Sequence, residues 1–330
     1  MLDECDEQSR EVFLQRLQAL LRRADIANQY MKIIIAGRPH IPVTNELPVG
    51  CFTEIPLDSG DIGKDIYEYV VGNVRKLSAT RNFTSLEQEI QDTLVEGANG
   101  MFLWVSLIVD SLNKIKHSTP KHIRQKLNEL PRDIAALYAG ILKRIDAEYE
   151  VIARVILQWI VYAVRPLTLE ELAIAIAITP AHTSQEDMRD DMELDLKGLL
   201  QAIFGPLVVI GNDGTVNLVH QSAKDFLVDI TSEGQGNLGS KKCFRYVSSR
   251  FGLSRQDANT VLSTACMSYL CFDELESIPP CLDIGSQQLS SWFDSTKRYL
   301  FLRYAAMYWP HHVRCISYDR VGLGDRKSVV

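Results

Sequence analysis

At 330 residues the chain is long enough for two or three domains, each with a core of its own. Apolar residues at 46% and charged ones at 23% exclude a disordered chain, and a formal charge of −7 gives no electrostatic reason to expect nucleic acid or an anionic membrane as partner. Seven cysteines, an odd number at irregular spacing, point to a reduced intracellular protein rather than a disulfide framework.

The first residues include Asp3, Glu4, Asp6 and Glu7, where a secretory signal needs a basic start and an apolar run. An amphipathic helix follows over about residues 8–23, with Val12, Phe13, Leu17, Leu20 and Leu21 on one stripe. Residues 32–36 (KIIIA) read as a strand buried on both faces of a parallel sheet, and Arg38 then stands at its C-terminal edge, where α/β sheets bind ligands. Residues 52–57 (FTEIPL) offer one more edge strand.

From residue 59 the pattern is helical. The periodicity predicts helices over 61–77, 84–96 with Ser85 as cap and Gly97 as stop, 100–116, 119–128 with Pro120 at the first helical position, and 133–148. Residues 101–109 and 151–164 are strongly apolar. Both fall short of the roughly 20 residues that a membrane span requires, and Arg154 interrupts the second, so both are read as core helices. After the turn Arg165-Pro166-Leu167, the Thr168-x-x-Glu171 capping box starts a helix over 169–178. An acidic loop over 181–193 leads to a helix over 194–204.

Two short apolar runs, 207–210 and 215–220, then flank Gly211-Asn212-Asp213-Gly214, a tight β-hairpin pattern. A helix begins at once, with Ser222 expected as its cap and Asp225 completing the box spacing. Helix, turn, capped helix, helix and hairpin is the order of a winged helix, and it places His220 where a strand meets a helix N-terminus. Residues 234–240 read as a Gly-rich linker, with helices at about 254–271 (Ser254 as cap) and 295–309, and a frayed tail over 319–330. No internal repeat is found.

Several of these stretches together resemble one family, the fungal NACHT-type signalling ATPases of the STAND class, over roughly residues 1–318. MLDECDEQSR resembles the tail of the Walker B motif, and KIIIAGRPH the sensor-1 strand. GMFLWVSLIVDSL and LPRDIAALYAGILKRI resemble the helical lid, and VILQWIVYAVRPLTLEELAIAI with LVHQSAKDFL the winged helix. YLFLRYAAMYWPHHV resembles the segment that precedes ankyrin or other repeats.

The resemblance implies a mostly α fold with a small α/β portion: a truncated P-loop-type nucleotide-binding subdomain remnant (1–58), a helical lid (59–148), a winged helix (149–232) and a C-terminal helical region (233–330). It assigns Asp3 and Glu4 to the acidic pair that orients the hydrolytic water, Arg38 to the sensor-1 arginine, and His220 to the winged-helix histidine that touches the β-phosphate of bound ADP. Family members bind ATP or ADP with Mg²⁺, and ADP locks the closed form.

The departures are as informative. No G-x-x-x-x-G-K-[ST] occurs in the 330 residues, the first Walker B Asp has no counterpart, and Phe102 stands where many relatives have proline. The expectation is therefore a cytoplasmic fragment of a STAND regulator that needs no cofactor, holds no metal, does not hydrolyse ATP alone and works through protein partners, possibly intact family members. An incomplete gene model of an active ATP/ADP-switching ATPase is the alternative.

Blander readings exist for each residue: a solvated acidic N-terminus for Asp3 and Glu4, a surface ion pair for Arg38, and a donor to a neighbouring carbonyl for His220. DNA binding, which winged helices often perform, is opposed by local charge, since residues 146–232 hold five Lys/Arg and fourteen Asp/Glu. Cys266 with Cys271, His311 with His312, and Cys5 match no zinc or nucleophile spacing and are read as buried or incidental. The aromatic residues Tyr299, Phe301, Tyr304, Tyr308 and Trp309 fall at helical spacing and are read as core, or as the seat of a repeat domain.

Overall fold

The structure, a computed structural model, describes residues 11–20, 33–35, 59–115, 119–131, 133–230, 242–276 and 298–321. Chain contacts divide it into two units, Met1–Glu68 and Tyr69–Val330. In the first unit a helix (α1, residues 11–20) buries Leu14 and Leu17, whereas Val12, Phe13 and Leu20 are more than 40% exposed, so only part of the expected stripe is covered. Residues 33–35 form no strand, and Ile34 is 98% exposed. The sequence reading of KIIIA as a doubly buried strand is corrected here. A strand requires a neighbour for its backbone groups, and no described residue pairs with these. The second expected strand, 52–57, lies outside the described residues.

α2 (Ser59–Arg81) carries the chain into the second unit. Its Ile66, Val70, Val74 and Leu77 recur every three or four residues and are all buried, which fixes its inward face. Asn82 ends it in the left-handed conformation with φ 57°. A short 3₁₀ turn, Thr84–Leu86, comes between this end and α3 (Glu87–Ala98), so Ser85 is not the cap that its residue type suggests. Gly97 is not the stop either. It sits inside α3, and Asn99 (φ 44°) with Gly100 (φ 80°) ends the helix.

Gly97 instead allows a close approach: a Cβ there would lie 2.5 Å from Cη2 of Trp104. Trp104 belongs to α4 (Phe102–Asn113), is 1% exposed, and its Nε1 donates to the Pro131 carbonyl at 2.9 Å, so the ring cannot swing away cheaply. Gly97→Ala is therefore expected to destabilise. Overpacking at about 1–3 kcal/mol outweighs the gain of about 1 kcal/mol in helix propensity, and a lowered urea midpoint checks it.

α5 (Pro120–Asn128) starts as its sequence predicts, with Thr119 Oγ1 accepting from the His122 amide and Pro at the first position. α6 (Ile134–Lys143) is capped by Asp133, whose Oδ1 accepts from Ala136 N at 2.6 Å. α7 (Glu150–Tyr162) buries Ala153, Ile156, Leu157, Gln158, Trp159 and Val161, which is nearly its whole circumference. This explains the all-round apolar pattern and places the helix at the centre of its unit. α8 (Leu169–Ala177) has both halves of the Thr168–Glu171 capping box. Arg165 grips the same Glu171 through two hydrogen bonds of 2.6 and 2.7 Å, a bidentate charge-assisted pair at the turn into α8.

Within the expected acidic loop lies a short helix, α9 (Gln185–Arg189), capped by Ser184. α10 (Leu196–Phe204) is capped by Asp195 and leads into the hairpin strands β1 (Val208–Ile210) and β2 (Val216–Leu218). The strands are antiparallel with Val209 opposite Asn217, and an isolated bridge from Thr168 to Thr215 lays the α7–α8 turn along the outer side of β2. Among the described residues this is the one sheet. α11 (Gln221–Asp229) follows β2 without a loop.

Beyond residue 241 come α12 (Lys242–Phe251), α13 (Arg255–Leu270, with Ser254 as cap), α14 (Asp273–Glu276) and α15 (Leu302–Val321). α15 runs through Pro310, well past the expected end at residue 309 and three residues into the segment read as frayed. Pro310 removes one amide donor to the Ala306 carbonyl, and burial of Tyr304 and His312 on either side outweighs that loss. Tyr299, Phe301 and Tyr304 are buried with Trp159 and Tyr269, so this part of the aromatic cluster is core. Cys266 is buried and its thiol is pushed up to about 12 by burial, whereas Cys271 is exposed. The described chain is mostly helical, with a two-stranded wing, as the sequence implied.

Candidate functional site: the winged-helix histidine

The site begins with the hairpin turn. Gly214 (φ 78°) takes the left-handed position that the Asn-Asp-Gly pattern anticipated, and Asp213 Oδ1 accepts from both the amide (3.1 Å) and the hydroxyl (2.7 Å) of Thr215. These bonds hold the Asp213 carboxyl below its usual range. With the turn pinned, the register of β2 is fixed and His220 is delivered to the first turn of α11.

The expected cap is corrected at this point. His220, not Ser222, is the N-cap residue: its Nδ1 accepts the Ser222 amide hydrogen at 3.1 Å. Ser222 Oγ bonds the same Nδ1 at 2.8 Å and Tyr138 of α6 at 2.9 Å, and Asp225 receives the Gln221 side chain at 2.9 Å. The imidazole outcompetes the hydroxyl because the backbone reaches the helix already extended at residue 220 (φ −162°, ψ 155°), the conformation of an N-cap.

This geometry has a chemical consequence. With Nδ1 used as an acceptor, the neutral ring carries its proton on Nε2, which is thereby left as a hydrogen-bond donor. The alternative reading of His220, a donor to a neighbouring wing carbonyl, has no such bond among the described residues. Burial raises the Tyr138 hydroxyl above its ordinary range, with Ser222 opposing, and lowers the neighbouring Lys224 ammonium, with Asp225 opposing. Tyr138 and Ser222 are 84 residues apart and no spacing rule connects them, so sequence reasoning missed the pair. Tyr138→Phe is expected to cost about 1 kcal/mol, the value of one partly buried hydrogen bond, measured by chemical denaturation.

The other predicted site residues, Asp3, Glu4 and Arg38, lie outside the described residues. Among the described residues no group of three or more His, Cys, Asp or Glu could hold a metal ion, and no helix is long and apolar enough to cross a membrane. Close to the wing the surface opens into a groove of about 1390 Å³ between α4, α5 and α6 on one wall and α10 with β1 on the other.

Comparison with known proteins agrees with this geometry. The family described as "GPI inositol-deacylase, winged helix domain" matches residues 142–236, which span α7 to α11. The chain is 26% identical over 322 residues to Vegetative incompatibility protein HET-E-1 of Podospora anserina, covering 95% of this chain and 22% of that protein. It is 24% identical over 211 residues to Azaphilone pigments biosynthesis cluster protein L of Monascus ruber, covering 61% of this chain and 40% of that protein. The chain thus spans less than half the length of either relative. No solved structure matches it. With a winged helix matched where the hairpin and His220 stand, and similarity to a fungal incompatibility protein over 95% of this chain, the comparisons support the resemblance to NACHT-type fungal proteins.

Proposed function

We propose that this chain is the regulatory part of a STAND-class NACHT switch, cytoplasmic, acting through protein partners and not hydrolysing ATP by itself. The observation that carries the regulatory reading is the fixed tautomer of His220, whose Nδ1 is held in the helix cap while Nε2–H is left to donate. A donor held on a wing is suited to reading the presence of a phosphate group rather than to moving a proton. His220 would be the one described residue to contact a nucleotide phosphate in a complete switch, and the charge it meets there would favour the closed arrangement.

Hydrolysis asks for more. Phosphoryl transfer depends on a backbone cradle, a lysine and a metal-holding acid to position and neutralise the phosphates, and the G-x-x-x-x-G-K-[ST] pattern that supplies the first two is absent from the sequence. In this reading Asp3, Glu4 and Arg38 are vestiges of the family's hydrolytic and sensor positions. Calorimetric titration of the purified chain with ADP and with ATP, each with and without Mg²⁺, tests the proposal. No binding in the micromolar range is expected. Micromolar, Mg²⁺-dependent binding would overturn it in favour of an ATP/ADP-switching protein, and loss of that binding in His220→Ala would identify the wing as the sensor.

A further inference from the structure

We infer that the groove beside the wing takes an extended acidic peptide segment of another protein, which adds as a strand to the open edge of β1. The inference deepens the proposed role in protein contact and rests on that role. Nucleotide titration tests the other part of the proposed function, the absence of nucleotide binding, so the two can fail independently.

The first observation is the backbone. In an antiparallel pair, residues alternate between bonding across and pointing away. Val219 N donates to Leu207 O and Gly211 N to Thr215 O, which with the Val209–Asn217 pairing sets the bonded positions at 207, 209 and 211. Val208 and Ile210 therefore turn their backbone groups to the other side. The Val208 carbonyl and the Ile210 amide and carbonyl have no partner among the described residues. The outer edge of β2 differs, because Val216 N donates to Leu167 O and Leu169 N to Gly214 O. β1 is the open edge of the wing.

The second observation is what lies against that edge. Val208, Val209, Ile210 and Gly211 all line the groove. Side chains of consecutive strand residues point to opposite faces, so four in a row line one space only if the strand presents its edge to it. The free backbone groups thus open onto a space of about 1390 Å³, ample for an extended segment. Main-chain bonds from such an edge supply affinity that is indifferent to sequence, and the walls supply selectivity.

The third observation is charge. Among the described residues the groove carries four cations, Lys114, Lys126, Arg144 and Lys197, against two carboxylates, Asp110 and Glu129, in a chain of net charge −7. The carboxylates are already engaged, Asp110 with Lys114 at 2.8 Å and Glu129 with Lys126 at 3.2 Å. Arg144 gives its Nε to the Gly140 carbonyl of its own helix, and neither Arg144 nor Lys197 has an ion pair among the described residues. Both side chains are exposed, one on each wall. The floor between them is apolar, with Leu112, Ile141 and Leu200. An occupant that satisfies edge, floor and walls together is an extended chain alternating apolar and acidic residues.

The probe is a fluorescein-labelled peptide alternating valine with glutamate, followed by fluorescence anisotropy on the full chain. Two further peptides carry N-methyl groups on the odd or on the even amides, and a fourth has lysine in place of glutamate. Saturable binding is expected, abolished by N-methylation at one parity and retained at the other, because alternate amides face the edge. The lysine peptide should not bind. The double variant Arg144→Ala, Lys197→Ala should bind the acidic peptide at least roughly tenfold more weakly. Equal binding of both N-methylated peptides, equal binding of the lysine peptide, an unchanged affinity in the double variant, or no binding of the acidic peptide up to millimolar concentration would each overturn the inference. The peptide probes leave the protein intact, and the double variant changes only two exposed side chains, so its circular dichroism spectrum and urea midpoint should match the wild type.

Discussion

Trp159→Ala is expected to lower the free energy of unfolding by about 3–5 kcal/mol, the cost of emptying a fully buried aromatic site. Trp159 is 0% exposed on α7. Its ring meets Phe301 at 5.6 Å and Tyr304 at 5.7 Å, both edge to face, a geometry that contributes beyond area burial. Phe301 and Tyr304 lie near the other end of the described chain, so this side chain joins the winged helix to the C-terminal helices. The substitution should therefore also lower the cooperativity of unfolding, with the C-terminal helices melting before α7. A second variant separates packing from polarity. Trp159 Nε1 is buried without a hydrogen-bond acceptor among the described residues, so Trp159→Phe removes an unsatisfied donor while keeping an aromatic ring. It should cost clearly less than the alanine change. Urea denaturation followed by circular dichroism and by tyrosine fluorescence checks both effects.

Stability is expected to fall steeply in mild acid because of His312. This ring is 0% exposed and sits in a closed polar chain: Val164 N donates to Tyr304 Oη at 3.0 Å, Tyr304 Oη bonds His312 Nε2 at 2.9 Å, and His312 Nδ1 bonds Asn259 Oδ1 at 2.8 Å. Asn259 Nδ2 is itself committed to the Arg255 carbonyl, which leaves Oδ1 to accept, so the ring is neutral with its proton on Nδ1. Burial pulls His312 down from 6.5 to about 4, and the adjacent His311 acts in the same direction. Arg165, 5.3 Å from the centroid of the Tyr304 ring, adds a positive charge nearby.

A folded value below the unfolded one means that the unfolded chain takes up the proton first. Stability is then fully present above pH 6.5 and declines by about 1.4 kcal/mol for each pH unit below it, levelling near pH 4. The total is about 3 kcal/mol. His312→Gln should be less stable than the wild type at neutral pH, and the difference between the two should shrink as pH falls through this window. A constant difference from pH 7 to pH 4 would refute the assignment.

The parts of this fold that were legible in the sequence are those specified by neighbours along the chain. The Thr168–Glu171 box, the Thr119-Pro120 start, the Ser254 cap and the hairpin around Gly214 each depend on contacts within a few residues, and each stands where its residues indicated. The misreadings occur where a distant partner decides. Gly97 looked like a helix stop because its partner, the Trp104 ring, comes from the next helix. Ser222 looked like a cap because nothing in the order of residues shows that Tyr138 draws its hydroxyl away while His220 fills the role.

Three consecutive isoleucines looked like a buried strand because branched apolar residues suit one, but a strand exists only through its neighbours. His312 was read as buried or incidental. It is buried, and its partner Asn259 is 53 residues away, beyond the reach of any motif. At the site, the position of His220 was legible, but the commitment of its Nδ1 was not.

In the proposed function His220 is a fixed part of the wing with a donor left on Nε2, and the chain does not by itself complete a nucleotide site. Long-range ¹H–¹⁵N correlation spectroscopy of the His220 imidazole, before and after addition of Mg·ADP and Mg·ATP, tests it most directly. A protonated Nε2, an Nδ1 shift typical of an acceptor, and no movement of either signal with nucleotide at micromolar concentration are expected. A proton on Nδ1 would contradict the geometry, and a nucleotide-dependent shift of Nε2 would contradict the proposed function.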